Sequence, residues 1–212
     1  MKERFIDYWK HARELFLKLI VTQLGITFFG LVVTMPMAAR YAADLSKNGS
    51  ASSQSVFLLA LASIFSTIFY LFLQYYHCKD FAAKDQIRIR AGRQTFDRFF
   101  GLKTAFLANA FNLLLAVLSI FGRLFVTNAR FFATAAELDQ IEQFLPAWAG
   151  NLTEITRTVA QFAESMYYGI ILLTRPYDPL MLLWIVLPSL LVCFLTYALI
   201  AGAPEKEKPK AE

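Results

Sequence analysis

The sequence predicts an all-α polytopic membrane protein, a bundle of four transmembrane helices with an extracytoplasmic helical hairpin. Three observations lead there. Of the 212 residues, 57% are hydrophobic and only 17% charged, against roughly 25% charged in an ordinary soluble domain, and the mean hydropathy is +0.46. Four apolar runs, at 19–38, 56–76, 104–122 and 179–202, contain no Asp, Glu, Lys or Arg, and each approaches the about 20 residues that a helix needs to cross a hydrocarbon layer. The loops between them alternate between rich and poor in basic residues. This composition excludes a disordered chain, a charged nucleic-acid-binding domain and an ordinary soluble enzyme.

Residues 1–18 precede the first run. Phe5, Trp9, Ala12 and Phe16 recur at helical spacing with Arg4, Asp7, Arg13 and Glu14 around the remainder. That pattern predicts an amphipathic helix lying in the cytoplasmic interface before the chain turns into the first span. The mixture of acidic and basic residues is unlike the leading part of a cleavable signal, so the first span is expected to be retained. After the first span, Asn48-Gly49 signals a turn, and Ser52 or Ser53 is placed to cap the second.

The inner loop, 77–103, carries seven basic and three acidic residues. The second helix is expected to run on to about Asp85 and break near Gly92, with Thr95 capping a short helix that bears Phe96, Phe99 and Phe100. The third connection, 127–178, is expected to form the outer hairpin. Phe131, Ala135, Leu138, Ile141 and Leu145 mark its first stripe, and Leu152, Ile155, Val159, Phe162, Met166 and Ile170 its second, which Asn151 and Glu154 open as a capping box. A membrane-buried piece over 159–173 is the competing arrangement, and Glu164 in its middle speaks against it. Asp178-Pro179 is expected to start the last span, and Pro188 to kink it. The tail, 203–212, alternates Glu and Lys around two prolines and is expected to be solvated.

Loop charge sets the orientation. With the N-terminus inside, fifteen Lys and Arg fall on the cytoplasmic side and six outside. The positive-inside rule therefore predicts both termini in the cytoplasm.

The sequence contains no HExxH, Walker A, GxSxG or GxGxxG pattern, so no catalytic residue, cofactor or metal site is expected. His77, Cys78 and Asp80 are near neighbours on one helix and point to different faces. Two cysteines, Cys78 and Cys193, read as small buried hydrophobes. No ionisable residue falls inside the four runs, which weakens ion-coupled transport. Asn109 and Asn112, three apart on the third span, form a neutral polar intramembrane face. In the inner loop, Arg88, Arg90, Arg93, Phe96, Phe99 and Phe100 make a candidate contact for a protein partner or anionic lipid headgroups.

The stretch from Lys84-Asp85-Gln86-Ile87-Arg88 through Gly92-Arg93 to Gly101-Leu102, leading into Asn109 and Asn112, resembles small bacterial four-span membrane proteins with no assigned function. Asp7-Tyr8-Trp9 fits the same layout. The resemblance implies a bacterial plasma membrane and carries no functional residues with it. The function expected from these features is a non-enzymatic accessory or interaction subunit of a membrane complex, in contact with lipid and a cytoplasmic or membrane protein partner, or self-associated, and without nucleic acid. The alternative is a transport component with a neutral polar path.

Overall fold

A computed structural model describes residues 2–124, 147–174 and 180–203, and among them there are helices and no strands. The helices are α1 (Lys2–Asn48), α2 (Ser53–Arg90), α3 (Phe100–Ala108), α4 (Ala110–Leu124), α5 (Ala147–Ala163), α6 (Ser165–Thr174), α7 (Met181–Trp184) and α8 (Leu187–Ala201). The first stripe of the expected outer hairpin, the Asp178-Pro179 cap and nearly all of the tail lie outside the described residues.

The first two helices are the frame. At 47 and 38 residues and about 1.5 Å per residue, they are about 70 and 57 Å long, well beyond a bilayer core. They pack antiparallel. His11 faces Asp85 near one end, Thr34 faces Ser66 in the middle, and Arg40 reaches Gln54 near the other. The turn between them forms where the sequence signals it. Gly49 takes φ +68°, a conformation that costs an L side chain but not glycine. Ser52 then caps α2 by accepting from the Ser55 amide at 3.3 Å, and donates its own hydroxyl to Asp44 at 2.6 Å. Ser52→Ala is expected to cost about 1 kcal/mol, read as a small drop in thermal midpoint in detergent.

Two expectations for these helices change. The chain does not turn at residue 18: α1 is unbroken from the N-terminal segment into the apolar stretch. Ala12, Leu15 and Leu19 are fully buried in the bundle, because four- and three-residue spacing continues one contact face across the expected boundary. Trp9 and Phe16 meet at a tilt, with ring centres 5.0 Å apart, on the flank of that face. At the far end, α2 runs to Arg90, beyond Asp85. It stops at Gly92, where φ is +70° and the amides of Ala91, Gly92 and Arg93 close onto the last carbonyls.

The expected helix with Thr95 as cap and Phe96 and Phe99 on its surface does not form. The next helix begins at Phe100. Asp97 opens it, its carboxylate accepting from the Phe99 amide at 2.9 Å and its carbonyl from the Phe100 amide at 3.1 Å. The expected third span is likewise not one straight helix. It breaks at Asn109 into α3 and α4, which meet at 62°. Asn109 Nδ2 occupies the Ala105 carbonyl at 2.9 Å and reaches Ser189 Oγ at 3.1 Å, so a side chain competes with the helix ladder at that point. The last apolar run is disturbed where Pro188 removes a backbone donor. Its helix is interrupted at Ile185 and Val186 and resumes as α8.

The other helices assemble on the frame: α8 packs on α2, α3 on α8 and α1, and α4 on α5. The short apolar α6 lies against both α1 and α2. Gly169 makes room for Ser63 of α2, and Gly30 makes room for the backbone at Ser165 and Met166. Residues 165–174 therefore sit on the middle of the two longest helices instead of forming a hairpin apart from them. Large apolar side chains such as Phe28, Val32, Phe57 and Ile68 remain more than 60% exposed on the outer faces, the arrangement of helices solvated by lipid.

Candidate functional site, a buried carboxyl and a polar network

Thr27 binds the junction between α5 and α6. Its hydroxyl donates to the Ala163 carbonyl at 2.9 Å, and its carbonyl accepts from Ser165 Oγ at 2.7 Å. This exchange between two segments of the chain holds the one residue between the helices, Glu164. Thr27 lies near the middle of the apolar stretch 19–38, so Glu164 lies level with the middle of that stretch. Its side chain is fully buried, and neither carboxyl oxygen has a hydrogen-bond partner. Tyr167, one turn on, is buried beside it with its hydroxyl unpartnered, and the Tyr167 ring meets Tyr70 of α2 edge-on at 6.0 Å. Among the described residues, the other buried side-chain oxygens without partners belong to Thr67, Gln74 and Asn112. They too fall within the apolar stretches. In an interior of low dielectric each is costly to leave unpaired, and a carboxylate most of all. A proton or a cation on Glu164 removes the part of that cost that comes from the charge.

A second constellation closes the basic end. Asp85, on the expected inner loop, is fully buried. Its Oδ2 accepts from Tyr197 of α8 at 2.8 Å and lies 2.8 Å from His11 Nε2 of α1, while Arg88 Nη1 is 3.4 Å from its Oδ1. The imidazole rests against Phe81 and Phe100, with ring centres at 5.2 and 4.9 Å. Arg88 stands 3.5 Å from His11 Nδ1, and the Gln94 carboxamide is 2.8 Å from Nε2. With Nε2 protonated the ring donates to Asp85, and with Nε2 bare it accepts from Gln94. Nearby, the Tyr8 hydroxyl meets Thr104 at 3.0 Å, and burial pushes this phenol up from its ordinary range against the effect of that hydrogen bond.

Outside this network, Lys18 and Lys84 alternate with Glu14 and Asp80 at 3.1 to 3.3 Å. The Lys84 and then the Lys18 hydrogen bond hold Asp80 below the usual carboxylate range, and Lys18 does the same for Glu14. Folded-state values below the unfolded ones mean stabilisation that is present at neutral pH and lost as pH falls through them. The groups are solvent-facing, so the effect is small. The thermal midpoint is expected to fall as pH is lowered from about 5 to about 3, less steeply in Asp80→Asn.

The expected contact patch divides. Phe100 is buried, stacked on Phe81 at 5.6 Å, and Arg88 turns inward to Asp85. Arg90 reaches the Ala203 carbonyl at 3.4 Å. Arg93, Phe96 and Phe99 remain on the surface, with Phe96 stacked on Tyr197 and Phe99 on Phe194. Asn109 and Asn112 are both buried, but Asn109 is the break itself, between α3 and α4, and is spent on the α8 contact, whereas Asn112 lies on α4 with a bare oxygen. Glu164, His11, Asp85 and Tyr197 had no place among the expected site residues. The apolar run on both sides of Glu164 was the one signal available for it.

These features define a helical protein whose long apolar helices could span a membrane. Among the described residues, α1, α2 and the interrupted α7–α8 segment Met181–Ala201 are long and apolar enough to cross a membrane, and a fourth joins them if the bent α3–α4 pair is one span. Comparison with known protein families, characterised proteins and solved structures finds no match for this chain.

Proposed function

We propose that this chain is a transport component of a bacterial plasma membrane that handles a proton or small cation at Glu164, with both termini in the cytoplasm. One observation carries the proposal: a fully buried carboxyl, level with the middle of an apolar stretch, with neither oxygen partnered. Ionisable groups are expensive inside a bilayer and mark ion and proton pathways when they occur there. The absence of such a group from the apolar runs had weighed against ion coupling, and Glu164 supplies it. Broken helices are the elements on which intramembrane sites are built, and Glu164 sits at such a break.

The test is reconstitution into vesicles holding a pH-sensitive dye, with a potassium diffusion potential imposed by valinomycin. Proton uptake above that of protein-free vesicles is the expected result. Uptake no faster than in protein-free vesicles overturns it.

A second reading, an accessory subunit held by its basic end, is favoured by the exposed Phe96 and Phe99 beside Arg93 and Arg98. Apolar rings with cations suit an anionic lipid surface or a protein partner. A mild-detergent pull-down that recovers a stoichiometric partner from the native membrane, and loses it in Phe99→Glu with Arg93→Glu, would support that assignment.

A further inference from the structure

We propose that Arg98, with the rings of Phe99 and Phe194, binds the headgroup of one acidic phospholipid on the flank of the bundle where α3 meets α8. The inference rests on reading the chain as membrane-spanning. It is independent of the ion reading of Glu164, and it gives the exposed aromatic and basic surface a single occupant.

The site is set by how the connection 91–99 lies on α8. Phe96 stacks on Tyr197 with ring centres 6.5 Å apart and adjoins Gly202, at the end of that helix. Phe99 stacks on Phe194 at 5.7 Å. The connection therefore runs along α8 from its last turn inward. Phe194 stands about two turns, or 10 Å, before Ala201, the last residue of α8. Arg98 is carried in with it, the guanidinium 5.8 Å from the centre of the Phe194 ring. A guanidinium held over a ring keeps the N–H donors in its own plane for the oxygens of a phosphate.

Among the described residues, no carboxylate neutralises Arg98. The adjacent acid, Asp97, is already matched: one oxygen accepts from the Phe99 amide at 2.9 Å and the other from Lys103 Nζ at 2.7 Å. Lys103 lies one turn into α3 and reaches back toward the basic end to make that contact, as a lysine at a membrane boundary does. The surface that continues inward from Arg98 is apolar. Phe99 and, two turns on, Phe106 of α3 are each half exposed or more, and so are Leu195 and, one turn before it, Leu191 of α8. A cation at the edge of an apolar flank, set in from the end of the bundle, matches a molecule with an anionic head and hydrocarbon chains. A free phosphate offers nothing to cover the rings and leucines. A water-soluble protein would have to reach past the end of α8.

The structure also supplies a control. Lys79 of α2 lies 5.9 Å from the centre of the Tyr75 ring and is exposed. It too is a cation on a ring, but no second segment is laid beside it.

The test is native mass spectrometry of the purified full chain in mild detergent, with phosphatidylglycerol and phosphatidylcholine of identical acyl chains in equal amounts. The expected result is one phosphatidylglycerol retained in preference. Arg98→Gln is expected to weaken that retention about tenfold, the scale of one lost hydrogen bond to a charged group. Lys79→Gln removes the same charge and is expected to retain the lipid as the parent does. If Arg98→Gln does not fold, Phe99→Ala answers in its place, because it keeps every charge and removes the ring beside the guanidinium, and it is expected to weaken retention severalfold. Equal retention of the two lipids overturns the inference, and so does an equal loss in Arg98→Gln and Lys79→Gln, which would show attraction to net charge alone. A protein partner recovered through Arg93 and Phe99, with no preference between the lipids, overturns it as well and leaves the accessory reading standing.

Discussion

Replacing Glu164 by Gln is expected to reduce potential-driven proton uptake to the rate of protein-free vesicles while leaving the chain folded. Gln has nearly the same shape and cannot ionise. No donor serves either carboxyl oxygen, so the substitution breaks no hydrogen bond, and the backbone bonds at the α5–α6 junction are untouched. Glu164→Met goes further. It should be as inactive as Gln and more stable than the parent by about 1–3 kcal/mol, because a buried polar group without partners is replaced by a flexible apolar one. Thermal midpoints in detergent, measured beside the flux, separate the two effects. A loss of stability in Glu164→Met would mean that the carboxyl is paired after all and is holding the fold together, and retained uptake in Glu164→Gln would remove it from the ion path. Lost function with gained stability is the usual sign of a site kept for its activity.

The second large effect is structural, and it concerns the contact that brings Glu164 into the bundle. A methyl group at Gly30 would lie 2.6 Å from the Met166 amide nitrogen and 2.6 Å from Ser165 Oγ. The first of these is backbone and has no rotamer by which to give way. Gly30→Ala must therefore push α6 off α1 and strain the two Thr27 bonds across the junction. Overpacking of this kind costs about 1–3 kcal/mol, at times more, and the upper end is expected here. Gly25→Ala on the same helix is the control. Nothing lies within 4 Å of the position, and Ala is the better helix former by about 0.8–1.0 kcal/mol, so that variant should hold or gain stability. The difference in thermal midpoint between the two alanines measures the α1–α6 contact. Equal midpoints would mean that α6 does not sit against Gly30.

The local signals in the chain were sound where their partners are a few residues away. Asn48-Gly49 turned, Ser52 capped α2, Gly92 ended it, and Pro188 disturbed the last helix, because each depends on its own backbone. The inner loop misled in detail. Thr95 and Asp97 are both good capping residues, and only the packing of Phe100 onto Phe81 and Tyr197 selects the later start. Asn109 is similar. Three-residue spacing places it with Asn112 on a continuous helix, but Ser189, eighty residues away, holds its side chain at the break.

Glu164 shows the limit most clearly. A carboxyl within an apolar run is the same string whether the run lies on the outer surface or inside the bundle, and hydropathy favours the surface. What reverses that preference is a gap at Gly30, a second at Gly169 and the reciprocal bonds of Thr27. Asp85 likewise belongs to a basic loop until His11 and Tyr197, 74 and 112 residues distant, enclose it. The sequence by itself determined that the chain is helical, which stretches are apolar enough for a membrane and where most helices stop, because backbone pairing and hydration act over a few neighbouring residues. Only the tertiary structure decided which polar groups lose contact with water and which groups they then meet, because that choice depends on surfaces supplied by helices far apart in the chain.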